Sequence, residues 1–158
     1  MKKAILFLLL CGMIAASAYA QSSPGTNSSP GTNSSPARLR FSEFYAPASS
    51  RGLVFSEKLR GLNAGSVVIS GYMAPPLKPA LDFFVLTSRP MAICPFCDTD
   101  ASWPADIVVV YLKKGETTAA TTNPLTVTGR LDIGSYTDAT TGFVSQIRIY
   151  ADRIEQIR

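Results

Sequence analysis

From Ser66 to Met73 the apolar and polar positions alternate: Val67, Ile69, Gly71 and Met73 fall on one face, and Ser66, Val68, Ser70 and Tyr72 on the other. A period of two residues marks a strand with one buried face. Pro75 and Pro76 close it, because proline cannot donate to a ladder. The run Leu81-Asp82-Phe83-Phe84-Val85-Leu86-Thr87 predicts a second strand, reached through a short proline-rich segment that suits a hairpin. Ile107 to Leu112 is apolar at every position, as in a central strand covered on both faces. After an exposed loop from Lys113 to Asn123, Leu125, Val127, Gly129 and Leu131 alternate with Thr126, Thr128, Arg130 and Asp132 in a fourth strand. A turn at Thr140-Thr141-Gly142 leads to a fifth, with Phe143, Ser145, Ile147, Ile149 and Ala151 on one face and Val144, Gln146, Arg148 and Tyr150 on the other.

Helix signals are confined to the region before these strands. Leu39, Phe41, Phe44 and Tyr45 form the apolar edge of a short amphipathic segment. Ser56 can cap a helix that turns Leu59 and Leu62 inward and stops early at Gly61, Asn63 and Gly65. One short helix followed by five strands predicts a mainly β domain, a small five-stranded OB-like barrel. Gly71 and Gly129, each in mid-strand, are where such a barrel bends sharply or brings two backbones close. A seven-stranded sandwich needs two more strands than the chain offers.

The first residues change the account of where this domain works. Met1-Lys2-Lys3, an apolar run from Ala4 to Ala16 and Ser17-Ala18-Tyr19-Ala20 predict a secretory signal peptide over residues 1–20, cleaved after Ala20. The apolar run is too short to span a bilayer, so an integral membrane protein is not expected after cleavage. Leu10 is too bulky before Cys11 for lipoprotein processing, and Cys11 leaves with the signal. Residues 21–37 form a low-complexity linker built on Ser-Ser-Pro-Gly-Thr-Asn, repeated twice, then Ser-Ser-Pro. With nothing apolar to bury, it cannot offset its ordering entropy and is expected to be a disordered tether of roughly 20 Å reach. The folded domain is then 38–158.

Loss of Lys2 and Lys3 takes 15 basic residues to 13 against 11 acidic ones, so the net charge falls from +4 to +2. That balance lacks the electrostatic footprint of nucleic-acid binding. The chain holds no histidine, which removes Ser-His-Asp and Cys-His catalysis, imidazole ligands and the usual general base near neutral pH.

The candidate chemistry is Cys94-Pro95-Phe96-Cys97, between the second and third strands. In an oxidising compartment the expected state is a local disulfide between Cys94 and Cys97, shaping the loop. A second reading is a redox dithiol, since Cys-Pro-x-Cys is similar to the thioredoxin and glutaredoxin active site. The acidic, turn-like stretch that follows (Asp98, Thr99, Asp100, Ala101, Ser102, Trp103, Pro104) would raise rather than lower the thiol pKa values. A third is a soft-metal site, such as zinc, with Asp98 or Asp100 completing half a ligand set. No other cofactor is expected. Asp98, Asp100 and Asp106 also invite comparison with glycosidase carboxylate pairs, although acidic loops are ordinarily just solvated. Phe96, Trp103 and Tyr72 could together present an aromatic binding face, or plug the core near strand ends.

The sequence from Phe55-Ser56-Glu57-Lys58-Leu59 to Ser66-Val67-Val68-Ile69-Ser70-Gly71-Tyr72-Met73-Ala74-Pro75, with its Val-x-Ile-x-Gly-Tyr-Met-x-Pro strand, resembles a family of uncharacterised exported bacterial proteins. Over residues 53–155 that resemblance also covers a cysteine-containing loop, a strand like Ile107–Tyr111 and a Val-x-Gly-x-Leu strand like Val127–Leu131. It implies an OB-like periplasmic domain, an accessory protein to export or metal-handling systems, with no established activity. Cysteines in the relatives' loop stand elsewhere, so no functional residue transfers. The function expected is a non-enzymatic, periplasmic or secreted binding module for an envelope protein or small ligand; the alternative is a thiol-redox or metal-binding protein using Cys94 and Cys97.

Overall fold

The five predicted segments do form strands, in a computed structural model that describes residues 35–47, 52–75, 82–92 and 104–157. In chain order the elements are β1 Ala37–Arg38, a 3-10 turn Phe41–Glu43, α1 Glu57–Gly61, β2 Ser66–Met73, β3 Phe83–Thr87, β4 Ile107–Tyr111, β5 Leu125–Thr137 and β6 Val144–Gln156. The chain is mainly β, with one six-stranded sheet in the order β1-β2-β3-β4-β6-β5 and a further pairing of β2 with β5. All pairings are antiparallel except β1 with β2 and β4 with β6.

Local chemistry accounts for each element. Ser56 caps α1, its Oγ accepting from the Leu59 amide at 3.0 Å and donating to the Glu43 carbonyl. The helix buries Leu59 completely, and the turn that follows it places Ala64 in the left-handed region, at φ 62°. In β2 the expected face, Val67, Ile69, Gly71 and Met73, is the buried one. β3 and β4 are buried at all positions, and their alternation feeds two apolar clusters. Phe84, Leu86, Val108 and Val110 join Val67, Ile69, Val127, Leu131, Ile147 and Ile149 in the larger cluster. Phe83, Val85, Ile107, Val109 and Tyr111 face the other way and pack with Phe143 and Tyr150.

Both mid-strand glycines sit where backbones approach. A Cβ on Gly71 would lie 2.5 Å from the Thr87 carbonyl oxygen, and one on Gly129 would overlap the Tyr150 carbonyl oxygen. Gly129 also flanks a register shift between β5 and β6.

Three boundaries depart from the alternation pattern. β1 is a sixth strand, parallel to β2 through Ala37 opposite Val67, where the sequence expects the last residue of the 21–37 linker and the first of the domain; its two residues are too few to show a period. β5 continues past Asp132 to Thr137 because a second register shift, between Ile133 and Tyr136, breaks the parity of the pattern. β6 likewise continues past Ala151 to Gln156, its phase reset opposite Gly129. No helix among the described residues is long and apolar enough to cross a membrane.

Candidate functional site

Of the residues singled out in the sequence, Tyr72 and Asp106 are described, whereas Cys94, Phe96, Cys97, Asp98, Asp100 and Trp103, and with them any carboxylate partner for Asp106, lie outside the described residues. The expected disulfide, metal ligands and aromatic face therefore fall there too, apart from Tyr72. Among the described residues no group of three or more histidine, cysteine, aspartate or glutamate side chains could hold a metal ion.

The strand ends that flank the cysteine loop are described, and they are tied together by short polar contacts. Tyr72, half-buried on β2, pairs with Thr87 of β3. The Thr87 hydroxyl is within bonding distance of the carbonyls of Tyr72, at 3.1 Å, and of Arg89, at 2.7 Å, and this holds the chain as it leaves β3. Ser88 donates its hydroxyl to Asp106 at 2.6 Å, and the exposed Arg89 guanidinium stands 3.9 Å from the same carboxylate. Asp106 precedes β4, so these bonds draw the exit of β3 to the entry of β4.

Two cavities open at this place and share Pro90 and Met91. One, of about 440 Å³, runs between Arg89, Met91, Pro104 and Asp106. The other, of about 490 Å³, is lined by Met73, Ala74, Pro75 and the loop residues Ala120 to Thr122. Their walls are mostly apolar, Met91 is 38% exposed, and an ion pair stands at the rim. Such a surface can bind: a methionine adapts to irregular shapes, while Arg89 and Asp106 offer orienting polar contacts. The hydroxyls of Thr87 and Ser88 already donate to a carbonyl and a carboxylate, so neither is poised as a nucleophile.

A second polar assembly joins β4, β5 and β6. The Tyr111 hydroxyl donates to Asp138 at 3.2 Å, and Asp138 also accepts from the Thr140 and Thr141 amides and the Thr141 hydroxyl. Burial, followed by the Asp138 charge, pushes the Tyr111 hydroxyl well above its usual pKa. Burial also raises the Asp138 carboxyl, but the donors from Thr141, Tyr111 and Thr140 outweigh it and hold the group below its usual value. Arg148 is 3% exposed. It meets Asp132 at 2.9 Å and donates to the Gly134 carbonyl at 2.7 Å and to Ser145. Tyr136 lies under the guanidinium at 5.0 Å. Every strong donor here has an acceptor, so this assembly pins the β5–β6 hairpin and is not a reactive site.

The periodicity places Arg148 on the polar face of the fifth strand, and structure buries it. The missed signal is Asp132, a carboxylate on the neighbouring strand that pairs with Arg148 in register. Asp138 and Tyr111 leave no such trace, because their meeting depends on how the hairpin folds back.

No family model matches the chain, and no curated protein matches it. Among solved structures, a DUF3299 family protein from Pseudomonas aeruginosa is similar, with a TM-score of 0.53 and 17% identity, over 79% of this chain and 98% of that one. At that identity the likeness is one of fold. It accords with the resemblance to an uncharacterised family read from the sequence.

Proposed function

We propose that the chain is an exported, non-enzymatic binding domain that takes an envelope protein or small ligand at the cavities beside the β3–β4 loop. The observation that carries this reading is the pair of apolar-lined cavities sharing Pro90 and Met91, fixed in place by the Thr87, Ser88 and Asp106 hydrogen bonds. The strand order supports an OB-type barrel: β2-β3-β4-β6-β5 returns to β2, with β4 and β6 parallel. The first 20 residues support secretion to the periplasm or beyond, with residues 21–37 as a tether for the 38–158 domain. Cys94 and Cys97 form the loop's disulfide in this account.

The test compares co-purification from envelope extracts by the mature chain and by the double variant Arg89→Ala, Met91→Ala. Both side chains are exposed, so the fold should survive. Retention of a species by the parent and its loss from the variant is expected; identical retained species contradict the site. A variant carrying Cys94→Ser and Cys97→Ser should retain the same species. Loss of a thiol-dependent activity from that variant, still folded, would replace binding with redox or metal chemistry.

A further inference from the structure

The cavity lined by Met73 and Met91 has one fixed wall and one free wall. Met73 closes β2 in register with Leu86 of β3, and the Ala74 amide donates to the Val85 carbonyl at 2.9 Å. Thr87 and Ser88 hold the start of the segment that carries Pro90 and Met91. The opposite wall, Ala120 to Thr122, belongs to the loop between β4 and β5. Residues 113–120 of that loop are all exposed, and 116–121 have no regular secondary structure. Among the described residues, no hydrogen bond or ion pair joins 114–123 to the body of the domain. The bonds made there, from the Glu116 amide to the Lys113 carbonyl and from the Asn123 amide to the Thr121 hydroxyl, lie within the loop.

Both ends of the loop, by contrast, are anchored. The Leu112 amide donates to the Asp82 carbonyl at 2.8 Å, Lys113 Nζ donates to the Asp152 carbonyl at 3.1 Å, and the Pro124 carbonyl accepts from the Ile157 amide at 2.8 Å. Between these anchors Gly115 stands at φ 85°, with nothing within 4 Å of the place a Cβ would occupy. Glycine there lets the backbone turn either way without collision. Residues 117–122 read Thr-Thr-Ala-Ala-Thr-Thr. Such side chains are too short to fasten the loop, yet their methyl groups can face an apolar ligand. A segment with no buried side chain and no bond to the body opens and closes at small free-energy cost.

We propose that residues 114–123 are a lid, which swings about the Gly115 turn and brings Ala120, Thr121 and Thr122 down over a ligand held between Met73 and Met91. The proposal rests on that cavity being the binding site. Closure excludes water from the ligand and adds the methyl groups of the three residues to its contacts. Ordering the loop costs conformational entropy, so the lid shuts only where those contacts offset the cost. A ligand enters past a loop that has not yet shut, whereas a bound one must wait for it to reopen. The lid therefore acts chiefly on the rate of escape.

The experiment uses the chain and the fluorescent apolar probe anilinonaphthalenesulfonate, followed by amide resonances, hydrogen exchange and stopped-flow fluorescence. Amide shifts at Met73 and Met91 should place the probe in the cavity, and exchange at residues 117–122 should slow about tenfold once it is bound. Deleting Thr118 and Ala119 shortens the lid without removing a hydrogen bond or a buried side chain. Probe should leave that variant about tenfold faster, with its association rate changed less than about threefold. Shifts at Met73 and Met91 with unchanged exchange at 117–122 overturn the lid and leave the binding site standing; this measurement needs no variant. An equal escape rate from the shortened chain also overturns the lid. Probe that leaves Met73 and Met91 unmoved overturns it as well, whereas the binding site itself is judged by the Arg89→Ala, Met91→Ala comparison.

Discussion

Ala64 is the one described non-glycine residue with a positive φ, at 62°. It is held there because its amide donates to the Leu131 carbonyl while the Leu131 amide returns a bond to Gly65, so the end of α1 is stitched to β5. An L-residue in that region costs roughly 1–2 kcal/mol. Ala64→Gly should therefore raise stability, by about 0.5–1 kcal/mol once glycine's greater unfolded freedom is deducted, read as a higher denaturation midpoint. The Tyr111 and Asp138 pair makes a sharper prediction. Asp138 titrates lower in the fold than in the unfolded chain, so its contribution is complete above about pH 3.9 and is lost as pH falls through the folded value. Tyr111→Phe removes one donor, which should lower stability near neutral pH by about 1–2 kcal/mol and flatten the acid limb of the stability curve. Tyr111 itself is raised in the fold, so stability of the parent should decline above about pH 10, where its unfolded form ionises, and the Phe variant should lack that decline. Urea unfolding across pH checks both limbs.

Strands were legible where one face is uniformly buried. β2 follows its alternation from Ser66 to Met73, and β4 follows its unbroken apolar run, because burial on one or both faces writes itself directly into residue type. β5 and β6 were legible only as far as their irregularities. A bulge resets the period, so the residues beyond it look like loop. Gly129 was readable as a place of close approach, and the structure gives the cause: the Tyr150 carbonyl and the Ala151 Cα crowd the position where a side chain would start. Gly129→Ala should cost about 1–3 kcal/mol, because backbone atoms must shift to admit the methyl group. Chemical denaturation of the purified variant measures it, and a cost below about 0.5 kcal/mol would mean that β5 and β6 can part there easily.

At the scale of the molecule, the β order and the likeness to a DUF3299 family protein speak to architecture, and the ligand-binding account rests on the ends of β2, β3 and β4. The sequence pointed to this place through its cysteines, which lie outside the described residues, whereas the cavities come from Met73, Pro90, Met91 and Asp106, ordinary residues with no motif. Pockets of that kind arise from how strand ends splay, which no local pattern records. Mapping amide shifts of the chain on adding the co-purified species is the most direct measurement. Shifts concentrated at Tyr72, Met73, Arg89, Met91 and Asp106 are the predicted result. Shifts confined to other residues, with these five unmoved, would contradict the account.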